Sequence, residues 1–222
     1  MKTIISMTSW PPRIDYVADA LNVFFQQTVR PDLIELTLSK EEFPNGIDDL
    51  PDTLLHLIAS RDIAVFWEEG NAGVFRKLIP CAQRHQGEDA VILTVDDDWV
   101  YERDYVEKML KGIDGYDVYS PFTNVTGAFT AYHTSVLTPE LWERLTPEII
   151  SLAVDDTWYR AFLEWRGARC HFDPRADFRG YATPTGLADV SPNSLKVDGG
   201  YTERRCIRAA VLSKEAFNGN RT

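Results

Sequence analysis

Apolar residues along the chain come in short blocks that switch between two periods. Lys2 to Met7 predicts a strand, and after Pro11 and Pro12 the positions Ile14, Val17, Ala18, Leu21, Phe24 and Phe25 recur at helical spacing. Leu33 to Leu38 alternates as a second strand, and Ile63 to Trp67 predicts a third. The Pro- and Asp-rich stretch from Pro44 to Asp52 supplies a loop and short helix between them. Val74 to Arg84 has a helical pattern and delivers the chain to Ala90-Val91-Ile92-Leu93-Thr94-Val95. That run is rich in apolar and β-branched residues, as a strand covered on both faces must be. Val106, Met109 and Leu110 mark another helix, Asp117 to Pro121 a further strand, and Leu152 to Trp165 an amphipathic helix stopped by Gly167. Strands alternating with helices predict an α/β protein with a mostly parallel, doubly wound sheet flanked by helices. Beyond Phe178 the pattern loosens. Residues 1–178 therefore read as one domain, and 179–222, rich in Gly, Pro, Ser, Asn and charge, as a lid or packing arm.

Composition narrows the picture. A length of 222 residues suits one substantial domain, and 44% hydrophobic with 12% aromatic residues supplies a core. The net charge of −11 argues against broad binding to nucleic acid or anionic membrane; Arg204, Arg205 and Arg208 form the one local basic group. The opening apolar stretch, broken by Thr8, Ser9 and two prolines, is too short for a signal peptide or an integral membrane segment, so a cytoplasmic protein is expected. Cys81, Cys170 and Cys206 make neither an even disulfide framework nor a CxxC pair, which agrees with a reducing compartment.

Chemistry concentrates at the end of the Ala90–Val95 run, where Asp96, Asp97 and Asp98 follow in succession. Parallel sheets bind ligands at the carboxyl ends of their strands. Three carboxylates packed there repel one another, and Mg²⁺ or Mn²⁺ relieves that repulsion while leaving room for substrate phosphates. The plainer reading is a solvated acidic turn that caps a helix beginning near Glu102. Asp155 and Asp156 present the same choice, because acidic residues in a first helical turn oppose the macrodipole in proteins of every kind. Six tryptophans mean chiefly core packing, although Trp99, Tyr132, Trp158 or Trp165 offers a ring for a sugar face. His133 and His171 are candidate extra ligands against the usual role of a satisfied structural histidine.

Taken in order, Ile4-Ile5-Ser6-Met7-Thr8-Ser9-Trp10-Pro11-Pro12-Arg13-Ile14, Phe43-Pro44, Lys77-Leu78-Ile79-Pro80, Val95-Asp96-Asp97-Asp98 and Asp155-Asp156 with Gly167 behind it resemble bacterial glycosyltransferases of the GT-A fold, family 2-like, that use nucleotide sugars in polysaccharide biosynthesis. The resemblance runs to about Phe172. It implies a GT-A, Rossmann-like domain and a DxD element in which Asp98, with Asp96, reaches a cation on the donor diphosphate while Asp97 leans towards the ribose or base. Triple aspartates allow two registers of DxD, so the direct ligand stays open. The loop Thr8, Ser9, Pro11 and Arg13 is implied to hold the nucleotide, Arg13 by pairing with phosphate, and Lys77 to lie near the donor. Asp156, or Asp155, is implied as the base that deprotonates the acceptor in an inverting enzyme; the pair reads DD where the family has ED, and a retaining enzyme needs no such base. Gly127, Ala128 and Phe129 form an expected turn under the acceptor, with Tyr132 and Trp158 as its aromatic partners. The function implied is metal-dependent transfer from a nucleotide-sugar donor, a UDP-sugar first, to a glycan or lipid-linked (glycolipid) acceptor. Two rivals stand beside it. A sugar-nucleotide pyrophosphorylase should carry a Gly-rich loop after the first strand, and Thr8 to Arg13 contains no glycine. The other is a noncatalytic nucleotide- or carbohydrate-binding protein of the same fold.

Overall fold

In the computed structural model, which describes residues 1–122, 126–176, 180–182 and 203–218, the predicted strands assemble into one twisted sheet. β1 (Lys2–Thr8) leads through a 3₁₀ turn at Pro11–Tyr16 into α1 (Val17–Asn22), then β2 (Leu33–Ser39), α2 (Asp52–Ser60) and β3 (Ile63–Glu68) follow. α3 (Ile79–Arg84), β4 (Ala90–Val95), β5 (Trp99–Tyr101) and α4 (Tyr105–Ile113) come next. After β6 (Val118–Ser120) and β7 (Thr130–His133), the short α5 (Glu140–Glu143), α6 (Pro147–Leu152) and α7 (Asp155–Arg166) precede β8 (Cys170–Phe172), β9 (Gly180–Ala182) and α8 (Glu203–Asn218).

The main sheet has the order β3-β2-β1-β4-β7-β6-β8. β3, β2, β1 and β4 are parallel, whereas β7 runs antiparallel to both β4 and β6. The chain builds outward from β1 to β3, then crosses back to place β4 on the other side of β1. The carboxyl ends of β1 and β4 therefore flank the point where the winding reverses, the crevice in which such sheets bind ligands. Alternate residues of the strands feed two cores. Ile5, Met7, Leu36, Leu93 and Val95 pack with α1, α2 and α4, while Ile4 and Ile92 pack with α3 and α5 to α8.

β2 departs from an apolar run because its second face is polar yet buried. Glu35, only 1% exposed, accepts from Arg84 at 2.8 Å and meets His85 Nε2 at 2.7 Å, so the alternation seen in the sequence faces α3 and not water. Glu35, Cys81 and His85 bring ligand-type atoms within 4.8 Å of one another. The guanidinium of Arg84 already neutralises Glu35, and this cluster serves as an internal ion pair.

Other differences have local causes. The helix expected after Pro12 is half 3₁₀, and the stretch from Val74 to Arg84 breaks at Leu78 (φ −113°) ahead of Pro80. The short helix expected between Pro44 and Asp52 is a 3₁₀ turn at Gly46–Asp49, and a further, unexpected helix runs from Asp52 to Ser60, burying Leu54. The aspartates lead into β5, not directly into a helix near Glu102. The helix expected from Leu152 to Trp165 is two, because Ala153 takes a left-handed conformation (φ 48°) between α6 and α7. Of the tail, Gly180–Ala182 pairs with β5, and α8 buries Phe217 against α7. No helix among the described residues is long and apolar enough to cross a membrane.

Candidate active site

β4 ends in the crevice with Asp96, Asp97 and Asp98, and each carboxylate meets a different partner. Asp97 accepts from Ser9 Oγ at 2.6 Å and from Arg13 Nη1 at 2.9 Å, so both its oxygens are committed. Asp98 Oδ2 lies 3.1 Å from Arg13 Nη2, and Asp96 Oδ1 lies 2.7 Å from Lys77 Nζ. Asp97 is thus the strut that ties β4 to the loop after β1, with its side chain 6% exposed; those of Asp98 (20%) and Asp96 (32%) keep an oxygen towards the crevice. The structure corrects the expectation for Asp97: held from two sides, it does not lean out towards a ribose or base. Asp96 and Asp98 are the carboxylates of this turn that keep more exposed surface.

Charge is crowded here. Burial raises the pKa of Asp98, and Asp96 pushes it further while Arg13 pulls it down. Burial also raises that of Asp97, against the guanidinium of Arg13 and the hydroxyl of Ser9. Burial opposes the charge on Lys77, yet Asp96 and Asp155 outweigh it and raise its pKa. An all-oxygen donor set whose carboxylates repel one another fits a hard divalent cation such as Mg²⁺ or Mn²⁺.

Across the crevice, the first turn of α7 carries Asp155 and Asp156, and they play different parts. Asp155 is buried, its Oδ2 lies 3.7 Å from Lys77 Nζ, and that oxygen accepts no hydrogen bond among the described residues. Burial, with repulsion from Asp156 and Asp96 only partly offset by Lys77, lifts its pKa to about 7. Asp156 is half-buried and accepts through Oδ1 from the backbone N–H of Thr126 (2.7 Å) and Gly127 (2.5 Å). Lys77 consequently links the aspartate turn to the head of α7.

Gly127 is present for space. A Cβ there would stand 2.6 Å from Asp155 Oδ2, and the expected turn is pinned to α7 by the bonds of Thr126 and Gly127 to Asp156. Two acceptor assignments are corrected. Trp158 is fully buried, donates Nε1–H to Leu141 O and packs on Phe217, so its ring is core. Tyr132 is likewise fully buried, against Tyr159. The histidines are not ligands of the aspartate site. His133 pairs with Val91 at the far end of β4, and His171 stacks on Tyr116 on the edge strand β8.

Residues that sequence reasoning missed complete the crevice around the loop after β1. Arg76 is buried beneath the loop after β1, reaching Thr8 Oγ1, Ser9 O, Asn71 Oδ1 and Glu42 Oε2 at 2.7 to 3.3 Å. Thr8, whose hydroxyl donates to Thr37 O, joins β1 to β2 and belongs to this network; exposed Pro11 only opens the following 3₁₀ turn. The signal for Arg76 was present, a second cation beside Lys77 inside an apolar stretch. Tyr101 was also missed, and its hydroxyl accepts the N–H of Asp96 at 2.7 Å, buttressing the turn.

No family model matches this sequence, and no curated protein is similar to it at the sequence level. Solved structures match its shape. S. aureus TarS 1-349 in complex with UDP superposes with a TM-score of 0.57 and 16% identity, over 96% of this chain. The chain spans 65% of the length of that TarS chain, less than two thirds. The mannosyltransferase PcManGT from Pyrobaculum calidifontis, in complex with GDP-Man and Mn²⁺, gives 0.56 and 16% over 98% of this chain and 74% of its own. The bifunctional IspDF from Campylobacter jejuni gives 0.50 and 12%, over 84% of this chain and 53% of its own. Likeness at such identities speaks for architecture, and with the sheet order and crevice described above it establishes that this chain has the GT-A fold.

Proposed function

We propose that the protein is a metal-dependent glycosyltransferase that moves a sugar from a nucleotide donor, a UDP-sugar first, onto a glycan or lipid-linked acceptor with inversion. The observation that carries the reading is the pairing of two half-free carboxylates, Asp96 and Asp98, with the acidic head of α7 through Lys77. The complexes of TarS with UDP and of PcManGT with GDP-Man and Mn²⁺ support a nucleotide in the same crevice and a cation on the aspartates.

In this reading Asp96 and Asp98 hold Mn²⁺ or Mg²⁺, which supplies neutralisation of the charge that grows on the leaving diphosphate. Arg13 orients Asp98 and adds positive charge beside it. Thr8, Ser9 and Arg76 shape the nucleotide side of the crevice. Asp156 is the base. Its Oδ1 is fixed by two backbone N–H groups, which leaves Oδ2 to take the acceptor proton as the acceptor oxygen bonds to the anomeric carbon and the bond to the diphosphate breaks. Asp155 and Lys77 keep α7 in register with the aspartate turn.

Calorimetry with UDP, GDP and CMP, with and without Mn²⁺, tests the donor site. Metal-dependent binding of one nucleotide, abolished in Asp98→Ala, is the expected result; no binding by folded protein would sink the proposal. Asp156→Asn separates an enzyme from a binding module. It should lose turnover and keep donor affinity.

A further inference from the structure

Four aromatic rings are tied by the chain to the two acidic poles of the crevice, and three of them, Trp99, Phe122 and Phe129, have no part in the donor reading. Phe129 is their hub, with ring centroids 5.2 Å from Trp99, 5.3 Å from Tyr101 and 5.3 Å from Phe122. Each side of the cluster is tied to one pole. Trp99 follows Asp98 directly, and the Tyr101 hydroxyl accepts the N–H of Asp96. Phe129 is two residues from Gly127, whose N–H is bonded to Asp156 and whose missing side chain makes room for Asp155. Thr126 adds a hydroxyl bond to the backbone oxygen of Asp156.

The backbone at Phe129 is unusual. Its φ is +50°, a left-handed conformation that a bulky L-residue adopts only when its surroundings impose it. Phe129 stands just after residues 126 and 127, which are bonded to α7, and its ring packs on that of Trp99. Phe122 is 37% exposed and Trp99 and Phe129 are half-buried, so the cluster is not sealed in the core as Trp158 and Tyr132 are.

We infer that Trp99, Phe129 and Phe122 form the acceptor subsite and that its ligand is a pyranose ring, taken by its apolar C–H face. The inference rests on the glycosyltransferase reading and specifies its second substrate. An acceptor hydroxyl must lie between the donor, at Asp96 and Asp98, and the base, at Asp156. The chain ties these rings to both, Trp99 by following Asp98 and Phe129 by lying two residues from Gly127, whose N–H is bonded to Asp156. A flat apolar surface rimmed by carboxylates suits a sugar, whose ring has an apolar face and whose hydroxyls need acceptors at its edge.

The test is an array of defined oligosaccharides probed with the whole chain in the presence of UDP and Mn²⁺, alongside UDP titration of each variant. Phe129→Gly removes the ring while accepting the left-handed backbone, so loss of binding is not loss of fold. Phe129→Gly and Trp99→Leu should each weaken capture of the glycans that the wild type retains by about tenfold, Trp99→Phe should stay within about threefold, and UDP affinity should hold in all of them. Equal glycan capture by Phe129→Gly, Trp99→Leu and wild type overturns the inference. So does a wild type that binds UDP and captures no glycan. A folded wild type that binds no nucleotide overturns the transferase reading itself, and this subsite with it.

Discussion

Asp155 is a carboxylate kept where it destabilises the fold, and Asp155→Asn measures by how much. Buried, with one oxygen lacking a hydrogen bond, it has a pKa of about 7 against an ordinary 3.8. A folded-state pKa above the unfolded value means that the native protein binds this proton more tightly. The group therefore contributes most stability in acid and loses it as pH rises from about 4 to about 7. Each unit corresponds to about 1.4 kcal/mol, so between about pH 5 and about pH 8 the wild type gives up on the order of 3 kcal/mol through this residue. Asparagine copies the neutral form and has nothing to ionise. Lys77 keeps its 2.7 Å contact with Asp96 in either case. Thermal unfolding of both proteins across this range should already show the variant ahead at about pH 5, where the unfolded carboxylate is ionised. Its lead should widen by roughly a further 6–12 °C by about pH 8, taking about 2–4 °C per kcal/mol for a chain of this size. Subtracting the two curves cancels the titrating groups that do not interact with Asp155 and leaves its own titration with that of its neighbours Lys77, Asp96 and Asp156. A variant that instead falls behind the wild type as pH rises would mean that attraction to Lys77 outweighs burial and that the raised pKa is wrong. The expected outcome identifies Asp155 as a residue whose place is set by the site at the expense of stability.

Gly127→Ala forces a Cβ to within 2.6 Å of Asp155 Oδ2 and should lower stability by about 1–3 kcal/mol while displacing Asp156, read as a drop in unfolding midpoint together with loss of turnover. Glu35→Gln removes the buried charge that faces half-buried Arg84, which keeps Glu68 as a second partner, and should cost about 1–3 kcal/mol, seen in urea unfolding, with nucleotide affinity unchanged because the cluster lies beneath α3 and away from the aspartates. Ala153→Gly relieves the left-handed residue between α6 and α7 and should raise stability by about 1 kcal/mol; a loss in the same unfolding assay contradicts the assignment of strain.

The parallel half of the fold was legible because its signals are local. A strand buried on both faces must be apolar along its length, as β4 is, and a ligand-binding turn after it must be polar, so Ala90 to Asp98 carries both facts in one stretch. β7 and β9 were not legible, because Thr130–His133 and Gly180–Ala182 are short and become strands only by pairing with β4 and β5. The same distinction divides the site residues. Asp96 and Asp98 could be found from neighbours in sequence, whereas the roles of Asp97 and Asp155 depend on Arg13, Ser9 and Lys77, which lie 84, 88 and 78 positions away and meet them only in the fold.

Aromatic residues exposed the limit most clearly. Trp158 and Phe129 are both aromatic, and the reading of the sequence puts Phe129 only in the turn and Trp158 among the sugar platforms. Its position decides otherwise: at the fourth residue of α7 it shares a helix face with Tyr159, Phe162 and Leu163, all buried, and so turns away from the acidic head of the same helix. Phe129 lies two residues after a glycine whose bare Cα makes room for the Asp155 carboxylate. A glycine fixed by a functional side chain, followed by a bulky residue at positive φ, marks a loop shaped by the site and not by the core. That conjunction joins the acidic head of α7 to the ring cluster, which is why Gly127→Ala and Phe129→Gly should separate: the first should disturb the base and the acceptor side together, the second the acceptor side alone.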